Sequence, residues 1–494
     1  MKGAVAHGSG AVVDTGVVVA VGAGTEVVDA RRFRLASFGA FPAHAASPTV
    51  AKVIAATTAA TATAWSRART RAREPGTTQI IYLLRVGYVA GVVGGSDICS
   101  KFAVVGLGVS RQGRKLGLSA RALRLEALEL ALSDSGLTRH DIDGHIGASS
   151  TGLFDDIRHL GLAPNFSFSM QSGGATATLS AVTAIGAILT GQADVVACSY
   201  AATPSSSVRS RVGASLRTGG AGGGVAGAGG YGTFAYGYPN MYGMVGAGSA
   251  HALHARRHME RYGTTSLHLG AVAVTQRDYA AVRPGTIGYG QPITIEDHQS
   301  SRMVVDPFRL LDCCRDTDGA VVVIVTTTER ARDLRAKPVR ILGMGTGHNM
   351  RNWWTGEVFD LHDDIAPAKA TAFGQAGIAV DDVDVAALYD PFTISPIMQL
   401  EAYGFCGPGE GGPFVADGNT RLDGAIPTNT GGGQLSGFYA TGFTAFVEGI
   451  WQLRGEGGAT QVPAAEVALV SGHGGNGGVQ NTWAHGTMLL GADR

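Results

Sequence analysis

The chain has 494 residues, 45% of them hydrophobic and 16% charged, and its 39 basic and 39 acidic side chains give a formal net charge of +0. That is enough apolar material for a large core and for more than one domain or repeated half, and the balanced charge excludes the basic footprint of a nucleic-acid-binding protein. Mean hydropathy is high at +0.12, but the excess lies in Ala, Val and Gly; no clean apolar run of about 20 residues stands out, so no membrane span is expected. The five cysteines, Cys99, Cys198, Cys313, Cys314 and Cys406, have the spacing of neither a zinc knuckle nor a disulfide framework. A reducing, cytoplasmic setting is expected, and the adjacent Cys313 and Cys314 read as residues beside a buried strand. The 74 glycines are clustered rather than periodic. They imply tight loops and close backbone approach, not a collagen-like repeat.

Residues 1–97 differ from the rest of the chain. They lack a clear turn-bounded alternation, and their middle is rich in Ala, Thr and Arg and poor in acids. The segment reads as a disordered or loosely packed extension, as read-through from a misassigned start site, or as a small domain. A targeting peptide shares the basic character but not the length or the glycine.

Order begins at Lys101. FAVVGLGVSRQGR predicts a strand and a glycine turn. The next segment predicts an amphipathic helix with Ser119 as N-cap, a stripe of Leu123, Ala127, Leu128 and Ala131, and Gly136 as C-cap. DIDGHIGASS starts a further strand, and strand–helix–strand is the opening of an α/β layer fold. A small-residue helix is expected from about Ala175 to Leu189, after the pair Gly173 and Gly174 and before Gly191. Its free backbone N–H groups could hold a carbonyl oxygen or oxyanion, or the helix could simply pack in a core. ADVVACSY is then a buried strand.

Residues 219–230 are low-complexity loop, and Tyr231–Tyr242 is aromatic and glycine-rich, like the lining of a cleft. In the helix that comes next, His251, His254 and His258 share a face. Without a carboxylate or cysteine at ligand spacing, that face reads as solvent- or partner-facing rather than metal-binding. A second helix with a Pro stop and the core strand VVVIV come after it. From Pro338 the pattern restarts: strand and glycines, helix, turn and strand up to Tyr389. This is an internal duplication of pattern rather than of residues. The halves are placed at 98–337, with a loop region at about 205–305, and at 338–494.

The stretch from Asp382 to Gly455 joins a Tyr-Asp-Pro turn, a periodic segment, the glycines Gly431–Gly433 and a second periodic segment. Tyr389 and Tyr439 sit where these elements meet. LSDSGLTRHDIDG, ILTGQADVV, DPFRLLDCCRDTDGAVVVIV, LYDPFT, LEAYGFCGPGEGGPFV, GAIPTNTGGGQLSGFYATG, EGIWQLRG and SGHGGNGG occur in order across nearly 400 residues. As a set they resemble the thiolase superfamily, in its lipid-transfer-protein-like (sterol-carrier-protein-x-like) branch. The resemblance implies an α/β fold of five layers, αβαβα, with two similar halves and an inserted loop region. It also implies a dimer and acyl-CoA substrates, with no bound cofactor or metal.

The departures from that family narrow the chemistry. Thiolases carry a cysteine nucleophile at the start of the first core helix; here that position is Gly174, and Ser172 reaches it only by a shift of register. The second cysteine is missing from Ser471-Gly472-His473-Gly474-Gly475, and Gly437-Phe438-Tyr439 stands where a Gly-His-Pro loop is expected. Claisen chemistry needs a thiolate to form its acyl-enzyme.

A subgroup, the thiolase-like aldolases of steroid side-chain degradation, lacks the cysteines and carries two tyrosines. One lies in Tyr-Asp-x-Phe-Thr, matched by Tyr389–Thr393, and the other in Gly-Gly-x-Leu-Ser-x-x-Tyr, matched by Gly432–Tyr439. Resemblance to that subgroup implies retro-aldol cleavage of a β-hydroxyacyl-CoA to a ketone or aldehyde and a shorter acyl-CoA. It implies Tyr389 and Tyr439 as the acid/base pair with help from His473, and backbone N–H groups near Gly174, Gly432 and Gly433 on the thioester oxygen. It also implies a heterotetramer with an OB-fold, DUF35-type zinc-ribbon protein. Two other readings remain: an acetyl-CoA acyltransferase-like thiolase, and a non-catalytic scaffold subunit.

Overall fold

In the computed structural model the described residues are 15–21, 24–30, 100–148, 152–206, 246–348, 362–474 and 484–493. The chain divides into two units, Met1–Val93 and Gly94–Arg494. In the first, the described residues form one antiparallel hairpin of β1 (Thr15–Val21) and β2 (Gly24–Ala30), with Val21 paired to Gly24. The sequence pattern does not anticipate this hairpin. The expected loop at 219–230 and aromatic lining at 231–242 lie outside the described residues.

The second unit opens as expected. Strand β3 (Phe102–Val109) leads to helix α1 (Ala120–Ser135). Ser119 Oγ accepts from the Ala122 N–H at 3.1 Å, and Gly136 closes the helix with a left-handed φ of 78°; both caps satisfy backbone groups that a helix leaves open. Then come β4 (Gly144–Ala148), α2 (Leu153–Leu160), β5 (Phe166–Ser169), α3 (Thr176–Leu189) and β6 (Val196–Ala202). Helices α4 (Gly246–Tyr262), α5 (Ser266–Val282) and α6 (Ile295–Ser300) and the short pair β7 (Met303–Val305) and β8 (Phe308–Arg309) precede β9 (Gly319–Thr327) and α7 (Thr328–Ala331). The restart supplies β10 (Val339–Gly347), α8 (His362–Ala376), β11 (Val385–Ala387), α9 (Ile394–Tyr403), α10 (Gly411–Ala416), α11 (Phe443–Arg454), β12 (Val467–Gly474) and β13 (Ala484–Ala492).

Nine strands hydrogen-bond in the order β11-β12-β13-β10-β3-β9-β6-β4-β5. The halves meet through a short antiparallel pairing, Val339 with Val104 to Ile341 with Phe102. Among the described residues, three large apolar clusters divide the layers, with a small fourth at Ala175, Leu179 and Ala484. The central one takes residues from the strands of both halves and from α3 and α11, including Val104, Val323, Ala181, Ile185, Val385, Val470, Phe446 and Ile450. One outer cluster packs α1 on the opposite face of the first half, and the other packs α4, α8 and α9 on that of the second. Strands buried on both faces read as continuous apolar runs, which is why VVVIV was legible as core.

The histidine face of α4 departs from expectation. His254 and His258 are 5% and 4% exposed. His258 Nε2 lies 3.1 Å from both carboxylate oxygens of Glu401 on α9, and its Nδ1 lies 2.7 Å from Thr264 Oγ1. The carboxylate missing from the local sequence is supplied by a distant helix, so this face is an internal packing surface.

Candidate active site

The site forms where β11, β12 and the first turn before α3 converge. A 3₁₀ turn, Gly173–Ala175, enters α3. A Cβ built on Gly174 would overlap the Tyr389 ring and the His473 carbonyl oxygen. Glycine is therefore required by close approach: the phenol ring of Tyr389 fills the space a side chain at 174 would need. Gly472 and Gly474 are pressed on the same turn; their built Cβ atoms fall 2.8 Å from the Gly174 carbonyl oxygen and 2.6 Å from its nitrogen. The segment that follows Tyr439 reaches the same turn. Thr441 Oγ1 donates to the Gly173 carbonyl at 2.9 Å, and a Cβ on Gly442 would collide with the Gly174 oxygen.

The two tyrosine motifs are tied together by a carboxylate. Asp390 is 1% exposed and accepts from the Gln434 N–H at 3.0 Å and the Leu435 N–H at 3.3 Å. These N–H groups open a π-helical turn, Gly433–Gly437, that begins after Gly432 at a φ of 85°. A side chain on Gly433 would run into that carboxylate, whereas the atoms nearest a Cβ on Gly432 belong to Ala280, Gly437 and Gln276. Gly433 therefore borders the Asp390 anchor, while Gly432 faces α5 and is not brought to Gly174. Burial pushes the Asp390 carboxyl up to about 7, against the opposing pull of its Gln434 and Leu435 hydrogen bonds.

A third segment closes the arrangement. The Cys314 N–H donates to the Pro391 carbonyl at 2.9 Å, and the Arg315 N–H to the Gln434 carbonyl at 3.2 Å. Thr317 Oγ1 accepts from the Tyr439 N–H at 2.8 Å and lies 3.3 Å from its carbonyl oxygen. This segment is fixed by Asp312, which is fully buried between His298 Nε2 at 2.8 Å and Thr393 Oγ1 at 2.7 Å. Cys314 thus borders the tyrosines, and so does Tyr200 at the end of β6, which stacks on Phe443 with centroids 6.1 Å apart. Burial raises the Tyr389 phenol well above its usual value, and Tyr439, Cys314, Tyr200 and Asp390 add to the rise. Burial likewise raises Tyr200, with Tyr439 and Cys314 adding and Arg124 opposing. Sequence pattern places the Cys313–Cys314 pair beside a strand and assigns Tyr200 no role; only the long-range topology brings them here.

His473 meets Gly174 through its main-chain oxygen. Its imidazole faces the other layer, with Nδ1 3.1 Å from His485 Nδ1 and 3.6 Å from an Asp364 oxygen. His485 Nε2 lies 2.6 Å from the Tyr403 hydroxyl, which also meets Thr487 Oγ1 at 2.7 Å. Asp364, His473 and His485 are the one group among the described residues whose ligand atoms converge as a metal site would need, within 4.8 Å of one another. Their histidines are engaged with each other and with Tyr403.

These buried imidazoles make the fold acid-sensitive. Burial lowers His145 to about 4 and His485 to about 3, and holds His473 well below its usual value. An unfolded histidine titrates near 6.5. As pH falls from about 6.5 toward 4, the unfolded chain therefore binds protons that the folded chain refuses, and stability declines. Asp390, raised to about 7, works in the opposite direction, as does Glu456, raised by burial, but His251, lowered by burial to about 4, adds to the three histidines. Scanning calorimetry is expected to show Tm falling by on the order of 5–10 °C between pH 7 and pH 5. A Tm that is flat or rises over that range would contradict the neutral-histidine assignment.

Residues 355–490 match the family description "Thiolase C-terminal domain-like". The chain is 37% identical over 366 residues to the 17-hydroxy-3-oxo-4-pregnene-20-carboxyl-CoA lyase of Mycobacterium tuberculosis, covering 72% of this chain and 91% of that protein. It is 34% identical over 400 residues to the steroid side-chain-cleaving aldolase of Thermomonospora curvata, covering 79% and 98%. Among solved structures, the Ltp2-ChsH2(DUF35) aldolase superposes with a TM-score of 0.70 at 32% identity, over 80% of this chain and 99% of that one.

Proposed function

Because the chain belongs to the thiolase superfamily, in its sterol-carrier and lipid-transfer-like branch close to the steroid side-chain-cleaving aldolases, it is an acyl-CoA carbon–carbon lyase, and we propose that Tyr389 and Tyr439 carry the reaction without a covalent intermediate. The observation behind this reading is the Tyr389 ring occupying the space beside Gly174. No side chain fits where a nucleophile would stand, and a phenol takes its place.

The cleavage then runs as a retro-aldol step on a β-hydroxyacyl-CoA. A base takes the β-hydroxyl proton, the Cα–Cβ bonding pair moves into the thioester as an enolate, and the β-carbon leaves as a ketone or aldehyde. A proton returned to Cα completes the shorter acyl-CoA, so no water or oxidant is consumed. Tyr389, buried and raised by its neighbours, keeps its proton at neutral pH and is the acid that protonates Cα. Tyr439, half-buried where Tyr389 is buried, is the base in its phenolate form, and the proton it takes passes to Tyr389 after the bond breaks. Two adjacent phenols cannot both ionise cheaply, which couples the two transfers. The N–H groups of the turn at Gly174 lie at the entrance to α3, where a developing enolate oxygen is stabilised by backbone donors and the helix end. His473 contributes its main-chain oxygen as part of the wall behind Gly174.

The relatives' names point to a steroid side chain as substrate, and the name of the solved Ltp2-ChsH2(DUF35) aldolase points to a DUF35 partner. A homodimer is supported by the sheet edge at β5, where Phe168 is 46% exposed, and by Phe154 on the adjacent helix at 78%. A reducing, cytoplasmic setting fits the free thiols Cys198, Cys313, Cys314 and Cys406. Among the described residues no helix is long and apolar enough to cross a membrane.

The test is direct: the chain co-purified with its OB-fold partner, given β-hydroxyacyl-CoAs with branched or steroid side chains, releases free ketone and shortened acyl-CoA in equal amounts. Release of acetyl-CoA and an acyl chain transferred to added CoA would instead mark a thiolase. We further propose that residues 1–97 are dispensable for this turnover, since Gly94–Arg494 is a unit of its own. A chain beginning at residue 98 should keep kcat within about twofold, and loss of soluble, active protein on that truncation would show otherwise.

A further inference from the structure

Tyr389 stands between two regular elements, after β11 ends at Ala387 and before α9 starts at Ile394, so no ladder or helix fixes its backbone. Two side chains do so instead. The Tyr389 N–H donates to Ser471 Oγ at 2.9 Å. That hydroxyl donates to Gln399 Oε1 at 2.5 Å. Gln399 Nε2 then donates back to the Tyr389 carbonyl at 2.7 Å, and also to the Ser395 carbonyl at 3.0 Å. The ring closes on both polar groups of one residue. Its sense is determined by the chemistry: Ser471 Oγ accepts from an N–H and must spend its own proton on an acceptor, which orients the Gln399 amide with its nitrogen toward the two carbonyls. Ser471 and Gln399 are both 0% exposed, so water cannot replace either partner. One residue comes from β12 and the other from α9, and β12 also carries the His473 carbonyl that meets Gly174.

We propose that Ser471 and Gln399 are positioning residues for the aldol cleavage, acting through Tyr389 by holding its main chain so that the phenol keeps its place against Gly174. This rests on the reading of Tyr389 as a catalytic group. The same three hydrogen bonds would be a mere packing device if the phenol had no task, and the two cases separate kinetically. A positioning role lowers kcat per folded molecule and leaves KM. A packing role lowers Tm and leaves the kcat of the folded fraction.

The experiment uses the full chain with its OB-fold partner and compares Ser471→Ala, Ser471→Thr, Gln399→Leu and Tyr389→Phe, with each of the first three also combined with Tyr389→Phe. Ser471→Ala and Gln399→Leu are expected to lower kcat about 10- to 100-fold with KM within about threefold, the scale of a misplaced catalytic group. Ser471→Thr, which keeps the hydroxyl, should recover most of that loss. In the Tyr389→Phe background neither substitution should lower kcat further, because the group they act through is gone.

Wild-type kcat in Ser471→Ala and Gln399→Leu, beside an inactive Tyr389→Phe, overturns the positioning assignment alone. So does an equal loss with and without Tyr389. Full activity of Tyr389→Phe overturns the two-tyrosine reading and this assignment with it. Should Gln399→Leu not fold, the Ser471→Ala and Ser471→Thr pair decides by itself.

Discussion

The double variant Tyr389→Phe, Tyr439→Phe is expected to release ketone at least about 10³-fold more slowly than the wild type, since each acid/base partner contributes roughly 10²–10⁴-fold. Each phenylalanine keeps the ring and loses only the hydroxyl. The ring of Tyr389 still fills the space beside Gly174, and Tyr439 is held by main-chain bonds to Thr317, so both folding and partner assembly should persist. Tm within about 3 °C of wild type and an unchanged elution volume would locate the loss in chemistry. The single variants should each lose most of the rate, because without Tyr439 nothing takes the β-hydroxyl proton and without Tyr389 nothing delivers one to Cα. Retained wild-type turnover in the double variant would sink the mechanism, and a loss of assembly alone would favour a scaffold role.

The second large effect comes from Gly174→Cys, which restores the residue type a thiolase carries. It is not expected to bring back a working nucleophile. The new Cβ would overlap the Tyr389 ring and the His473 carbonyl, and the latter is main chain in β12 that cannot swing aside. Tyr389 must be displaced, and overpacking of this kind costs about 1–3 kcal/mol. Aldolase turnover is expected to fall at least about 100-fold, the cost of displacing a catalytic group, with a lowered Tm and no acyl transfer to CoA. Measurable thiolase activity in this variant would mean that Tyr389 vacates the site readily and that its place beside Gly174 is not what selects the chemistry.

Much of the scaffold could be read from local pattern. Ser119 and Gly136 cap their helix as the residue types require, and the long apolar run at 319–327 is a core strand. The restart after Pro338 is seen as a second strand, helix, 3₁₀ turn and strand. The two tyrosine motifs were legible in the sequence, and the structure bonds Asp390 of one to the main chain of the other. Their relation to Gly174 was not legible, because it depends on three segments far apart in the chain meeting at the end of β12. The histidines of α4 were misplaced for the same reason: Glu401, which buries His258, is contributed by another helix. His473 stood out in the sequence as a candidate for the site, but its imidazole points to His485 and Asp364 and only its main-chain oxygen meets Gly174. Alternation along a strand sends imidazole and neighbouring glycines to opposite faces, and only the pairing with His485 shows which face is which. Ser471 and Gln399 carry no motif at all; each is an ordinary polar residue until the fold closes the ring between them.

A two-tyrosine site cuts the carbon–carbon bond without an acyl-enzyme. Rapid-quench intact mass spectrometry during turnover of a β-hydroxyacyl-CoA tests it most directly. Through a full single turnover the chain should keep its unmodified mass of 50.6 kDa while ketone and shortened acyl-CoA appear together. A transient mass increase equal to an acyl group, rising and falling with product formation, would contradict it.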